Sequence, residues 1–259
     1  MLKSSHPGTG RVKVLNASID SYTLDACVDD VITATTGDEQ GWLATVNVAI
    51  LMAMRRHRQL QSYADRARWV VADGEPLVWL SRLLGRPLPE RVTGVDLLER
   101  LCGRAEQAGI GVYFLGATHE VITGAGQAML SRYPRLQLHV ADGYFTDGEA
   151  PARARAIAES GALLLFVGMG FPRQEQFIET NLTDSGVSVA IGVGGSFDVI
   201  GGLRRRAPQA MQQHGLEWVF RLIQEPQRLW RRYLVTGVQF GALSVLLLAR
   251  AMVTRRRGA

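Results

Sequence analysis

The chain has 259 residues, 47% hydrophobic and 20% charged, which excludes intrinsic disorder and leaves one large α/β domain or a domain with an appendage. The net charge of +5 is unevenly placed: eleven arginines and two glutamates follow Gly202, whereas residues 1–203 hold 18 basic and 22 acidic side chains. A basic end on an acidic body calls for an anionic partner there, and arginine in place of lysine favours two-pronged grips on phosphate or carboxylate.

The opening MLKSSHPGTGR has no apolar run of signal-peptide kind, which predicts a body that stays in the cytosol. The first apolar run predicts a strand at Val12–Asn16, and a helical pattern follows at 22–36. A second strand, Trp42–Asn47, ends in TVN, placing Thr45 and Asn47 on one side of the strand if it persists that far. Both residues are then either ligands for a sugar or base, or caps of the helix predicted at 48–62. Strand Trp69–Ala72 runs into ADGEP, where Asp73 is either a base for an incoming hydroxyl or the cap of a helix at 75–84, with Glu75 as the alternative acid.

ERVTGVDLLERL, residues 90–101, sets Arg91 and Asp96 at the start of a helix over 94–108. Arg91 suits a phosphate clamp, and Asp96 either binds a hydroxyl or caps. Strand Val112–Gly116, helix 118–132, strand Leu136–Ala141, helix 149–160 and strand Leu163–Gly168 follow in alternation. VGMGFPRQE at 167–175 opens a helix over 171–181, on which Gln174 and Glu175 are either cleft-facing groups or ordinary first-turn residues. Strand Val187–Gly192 ends in IGVGGSFD, where Gly192 and Gly194 let backbone amides approach a phosphate. Neither glycine run completes the dinucleotide pattern G-x-G-x-x-G.

This alternation predicts a doubly wound, mainly parallel sheet with helices on both faces. Ligands gather outside the carboxyl ends of such strands, which draws Asn16, Thr45, Asn47, Asp73, Gly116, Gly168 and Gly192 toward one cleft. Near Gly201-Gly202 the pattern changes to arginines and aromatics at helical spacing, predicting an α/β body at 1–202 and a helical appendage at 203–259 with helices over 215–223 and 226–250. Arg221, Arg228 and Arg231 share one helical face if Pro226 does not rotate it. The sixteen uncharged residues Leu234–Ala249, bounded by arginines, suit a helix lying shallowly on an anionic leaflet better than a span. Cys27 and Cys102 read as buried thiols of a reducing compartment, the five histidines lack ligand spacing, and no metal motif or G-x-S-x-G elbow is present.

Taken in order, TVN, ADG, ERVTGVDLL, DGYF, VGMGFPRQE, IGVGGSFDVIGG, RRAP and GLEWVFRLIQEPQRLWRRY resemble the bacterial WecG/TagA/CpsF glycosyltransferases over about residues 12–240. The resemblance implies a Rossmann-like fold and inverting transfer of a sugar from a UDP-sugar to a polyprenyl-diphosphate-linked saccharide, with no cofactor and no required metal. It implies N-acetylmannosamine, its uronic acid or glucose as the sugar, and teichoic acid, enterobacterial common antigen or exopolysaccharide as the pathway. The enzyme would act peripherally at the cytoplasmic face of the inner membrane, with an appendage that closes over the site.

By the same resemblance Asp73 is the catalytic base, Thr45, Asn47, Arg91 and Gln174 are pocket residues, and Arg221, Arg228 and Arg231 approach the donor diphosphate. Asp96, Glu175, Gly192 and Gly194 join the expected substrate-binding set on their positions, and Arg250 and Arg255–Arg257 are expected at lipid headgroups. A nucleotide-cofactor oxidoreductase and a noncatalytic membrane-surface adaptor are the rival readings. Nucleic acid is disfavoured as a partner because the arginines interleave with an apolar helix. Self-association of the body is a further arrangement open to the chain.

Overall fold

A computed structural model describes residues 10–37 and 39–257, the side chains of Gln213 and 253–257 excepted; the opening segment and part of the terminal arginine cluster therefore lie outside the described side chains. The elements in chain order are β1 (Val12–Val14), β2 (Ala17–Ile19), α1 (Leu24–Ala34), β3 (Gly41–Val46), α2 (Val48–Met54), α3 (Arg58–Arg66), β4 (Trp69–Ala72), α4 (Glu75–Leu83) and α5 (Gly94–Ala108). There follow β5 (Val112–Gly116), α6 (His119–Arg132), β6 (Leu138–Ala141), α7 (Ala150–Glu159), β7 (Leu164–Gly168), α8 (Arg173–Asn181), β8 (Val189–Gly192) and α9 (Ser196–Ile200). The tail adds α10 (Gln209–Gln213), α11 (Glu217–Gln224) and α12 (Pro226–Arg257).

Six strands pair in the order β4-β3-β8-β7-β5-β6, every pair parallel. Strands β4, β5, β7 and β8 are buried along their whole length, because parallel crossovers put helices on both faces and no strand face is left to water. Side chains alternate between two cores. Val46, Ala72, Leu115 and Val167 pack toward α2, α3, α7 and α8, whereas Leu43, Val71, Phe114 and Phe166 pack toward α1, α5, α6 and α9. The architecture is Rossmann-like. Both cysteines are buried and unpaired, and desolvation pushes the Cys27 thiol up to about 12.

Two expected elements change. Val12–Asn16 is not a strand of the parallel sheet: β1 and β2 form a separate antiparallel hairpin, Val12 facing Ile19 across it. Leu15 takes φ 54° at the turn; a leucine there carries none of the glycine signal by which such turns are recognised. Asn16 therefore stays out of the cleft, its amide donating to Gln61 Oε1 at 2.8 Å. The helix expected over 48–62 divides into α2 and α3. Arg55, Arg56 and His57 are exposed at the break, and α3 then turns its own stripe of Leu60, Tyr63 and Ala64 inward.

Phe197 on α9 closes the second core. It is fully buried, its ring centroid lies 5.1 Å from that of Phe114, and a Cβ at Gly168 would come within 2.5 Å of it. Phe197→Ala is expected to cost about 3–5 kcal/mol, read as a lowered denaturant midpoint with an unchanged slope.

Beyond α9 the tail crosses back over the body on ion pairs. Arg204 meets Asp198 at 3.1 Å and Glu225 at 2.7 Å, while Arg206 pairs with Asp96. The helix α12 lies along α2, with Phe240, Leu243 and Leu248 against the first core and Arg56 donating to Gln239 at 2.8 Å. Val235, Val238, Val245, Leu246 and Met252 are exposed along it. By length and composition its stretch Pro226–Met252 is long and apolar enough to cross a membrane.

Candidate active site

The carboxyl ends of β3, β4 and β8 meet where α2, α4 and the β8–α9 turn begin, so short polar side chains at those ends converge. β3 and β4 continue as a ladder past their last residues, the Asp73 amide donating to Val46 O at 2.8 Å. That bond sets Asp73 beside Asn47. The next residue, Gly74, caps α4 with φ 151° and makes no side-chain cap bond, a backbone position that favours glycine. Asp73 is thus not a helix cap, and its carboxylate hydrogen-bonds the Asn47 side chain instead.

Asn47 takes the capping use weighed for it and adds a contact to Asp73, because its amide has two different ends. Its Oδ1 accepts from Ile50 N at 3.0 Å, capping α2, and its side chain also hydrogen-bonds Asp73. Thr45 Oγ1 donates to Gly192 O at 3.1 Å and fastens β3 to β8 at their carboxyl ends. Arg91, just before α5, is held in place by the Val92 amide donating to Ala72 O at 2.8 Å.

Charge surrounds Asp73 from the tail as well as the body. Arg91 Nη1 donates to Glu217 on α11 at 2.7 Å, and its Nε lies 3.7 Å from Glu75 Oε1. Glu217 in turn stands 3.6 Å from Arg221, one helical turn on. Burial raises the Asp73 carboxyl above the usual carboxylate range and Glu217 adds to the rise; Arg221, the Asn47 hydrogen bond and Arg91 oppose it. A carboxylate made more basic in this way is a better proton acceptor than an ordinary one.

Gln174 and Glu175 are buried together. Gln174 Oε1 accepts from Gly194 N at 3.1 Å and its Nε2 donates to Glu175 Oε1 at 2.9 Å. Gly194 sits at φ 53°, and a Cβ on Gly192 would reach within 2.9 Å of Gln174 Nε2. The glycines of this turn therefore admit the glutamine side chain, and the Gly194 amide expected for a phosphate is engaged by it. Glu175 Oε2 and the Tyr63 hydroxyl lack hydrogen-bond partners among the described residues, and both line a cavity with Thr45 and Gly192 that has room for about one water molecule.

Burial raises the Glu175 carboxyl, with the Gln174 bond opposing. The folded chain then holds a proton there more tightly than the unfolded chain does. Stability contributed by that proton is present at low pH and is lost as pH rises from the ordinary value of 4.5 through the raised folded one. Glu175→Gln, which keeps the acceptor for Gln174, is expected to flatten this fall and to raise the melting temperature at pH 7 relative to the parent. Melting curves across pH 4 to 8 check it.

The remaining expected residues are placed differently. Asp96 accepts from Thr93 Oγ1 at 2.6 Å and pairs with Arg206, so it fastens the tail in this arrangement. Arg228 pairs with Glu225 at 2.9 Å and Arg231 lies over the Trp230 ring, both exposed. Of the three tail arginines expected at the donor, Arg221 alone acts on Asp73. Pro226 begins α12 after Glu225 leaves the helix at φ −133°, which breaks the common face. Arg204 and Arg206, unassigned from sequence, are the tail's ion-pair fasteners. Glu217 was missed as a site residue; its four-residue spacing to Arg221 was legible as a helical ion pair, but its contact with Arg91 was not. Among the described residues no three His, Cys, Asp or Glu side chains group as metal ligands would.

The family model described as the glycosyl transferase WecG/TagA/CpsF family matches residues 12–257. Among curated proteins, the N-acetylglucosaminyldiphosphoundecaprenol N-acetyl-beta-D-mannosaminyltransferases of Staphylococcus aureus strains MW2 and NCTC 8325 are each 30% identical over 233 residues, covering 89% of this chain and 91% of theirs.

Proposed function

The chain belongs to the WecG/TagA/CpsF family of glycosyltransferases, and from that premise we propose that it transfers N-acetylmannosamine from UDP to an N-acetylglucosaminyl-diphosphate-linked polyprenol, with inversion at the anomeric carbon. The names of the staphylococcal relatives favour this sugar and acceptor over the uronic acid or glucose. The observation that carries the reading is Asp73: a carboxyl raised by burial, bound by Asn47 and flanked by Arg91 and Arg221 at the strand ends.

In the proposed reaction Asp73 takes the proton of an acceptor hydroxyl as the oxygen bonds to the anomeric carbon. The bond from that carbon to the diphosphate breaks on the opposite face, and its electron pair leaves with UDP. Arg91 and Arg221 are the guanidinium groups whose charge acts on the base, and they would stabilise the charge that develops on the leaving diphosphate. No protein-bound metal is assigned to this step. A panel of UDP-sugars offered with a short-chain lipid-diphosphate acceptor in EDTA, read by product mass, tests the reading; an N-acetylhexosamine added from UDP-N-acetylmannosamine supports it, and no product, or product from other UDP-sugars alone, defeats it.

Residues 203–259 are proposed as an appendage that completes the site and holds the enzyme on the cytoplasmic leaflet. With one side of α12 on α2, its opposite side and the half-exposed Trp218 and Trp230 are free to enter the headgroup boundary. Val238→Glu with Leu246→Glu is expected to weaken partition to anionic liposomes about 100-fold, from about 1.5 kcal/mol lost per apolar side chain. Flotation measures it, with turnover of a soluble acceptor as the control for folding.

A further inference from the structure

Glu217 occupies the position of an anion. Its carboxylate bridges a body guanidinium, Arg91 at 2.7 Å, and a tail guanidinium, Arg221 at 3.6 Å. The side chains of Arg91 and Glu217 are only 16% and 18% exposed, so water screens the pair weakly. Asp73 feels both arginines and Glu217, and Glu75 lies 3.7 Å from the far side of Arg91. Three carboxylates thus share two guanidinium groups before any donor arrives. A nucleoside diphosphate brings at least two further negative charges. A diphosphate must compete with these carboxylates, because Arg91 already gives Nη1 to Glu217 and turns Nε toward Glu75, and Arg221 stands against the other oxygen of Glu217.

We propose that Glu217 is an internal stand-in for the donor diphosphate: it holds Arg91 and Arg221 in register when the site is empty, and donor binding displaces it. Glu217 thereby sets the affinity for the nucleotide. The inference rests on the donor reading above, and it assigns a role to a residue of the tail that does not itself react. A carboxylate and a phosphate compete for guanidinium by the same paired hydrogen bonds, so removing the competitor leaves both arginines ready for the ligand.

The full chain in nanodiscs, titrated calorimetrically with UDP and separately with inorganic diphosphate, tests this. Glu217→Gln is expected to bind UDP about tenfold more tightly than the parent and to tighten diphosphate in the same direction. Asp29→Asn removes one negative charge from the exposed pair with Arg104 and is expected to leave both affinities unchanged. Equal or weaker binding of both probes by Glu217→Gln overturns the proposal, as does equal tightening in Asp29→Asn, which would be a net-charge effect. If UDP binds neither form while diphosphate tightens in Glu217→Gln, the stand-in survives and the UDP-donor reading falls.

Discussion

Asp73→Asn is expected to lower turnover by about 10²–10⁴-fold, the range that a positioned general base contributes, while UDP affinity stays within a few-fold. Asparagine keeps the shape and still accepts from Asn47, and it removes a charge whose burial raises the carboxyl. The melting temperature should therefore not fall, so lost activity cannot be ascribed to lost folding. Because the base works deprotonated, the parent's activity should rise with pH through a midpoint above the ordinary carboxylate range and disappear below it. Glu217 raises the Asp73 carboxyl, so in Glu217→Gln that limb moves to lower pH. More than a tenth of parental turnover in a folded Asp73→Asn enzyme would move the base elsewhere.

Arg91→Ala is expected to reduce kcat/KM by about 10²–10³-fold, about 2.7–4 kcal/mol, as for a lost donor to developing negative charge. The residue touches Glu75 and Glu217 and acts on Asp73, so its loss has a second signature. Arg91 lowers the Asp73 carboxyl; without it the acid limb moves to higher pH, opposite to the shift in Glu217→Gln. Arg91→Lys keeps the charge but loses the planar fork, and it should recover little of the rate. Steady-state kinetics across pH check both signatures, and parental kcat/KM in Arg91→Ala would remove it from the site.

The strands were legible because a parallel strand covered on both faces must be apolar throughout. β5 and β7 are buried at every position, and their runs stand out from the helices by length. The β1–β2 hairpin was not legible, since Leu15 turns the chain without glycine. The break between α2 and α3 escaped for a related reason: an apolar stripe on each side of Arg55–His57 reads as one helix until packing shows that each stripe faces inward separately.

For the site, residue types and strand ends pointed to Thr45, Asn47, Asp73 and Gly192, because local backbone geometry places the end of a strand beside the start of the next helix. The sequence by itself determined the parallel sheet, the polar residues at its carboxyl edge and the basic character of the tail. It could not decide which arginine meets which carboxylate. Arg91 and Glu217 are 126 residues apart, and an ion pair over that separation leaves no periodic trace. Only the tertiary structure brought the Arg221 charge to bear on Asp73 and left Arg228 on Glu225. The physical reason is that Pro226 ends one helix and starts another, so a face continuous in sequence becomes two faces in space.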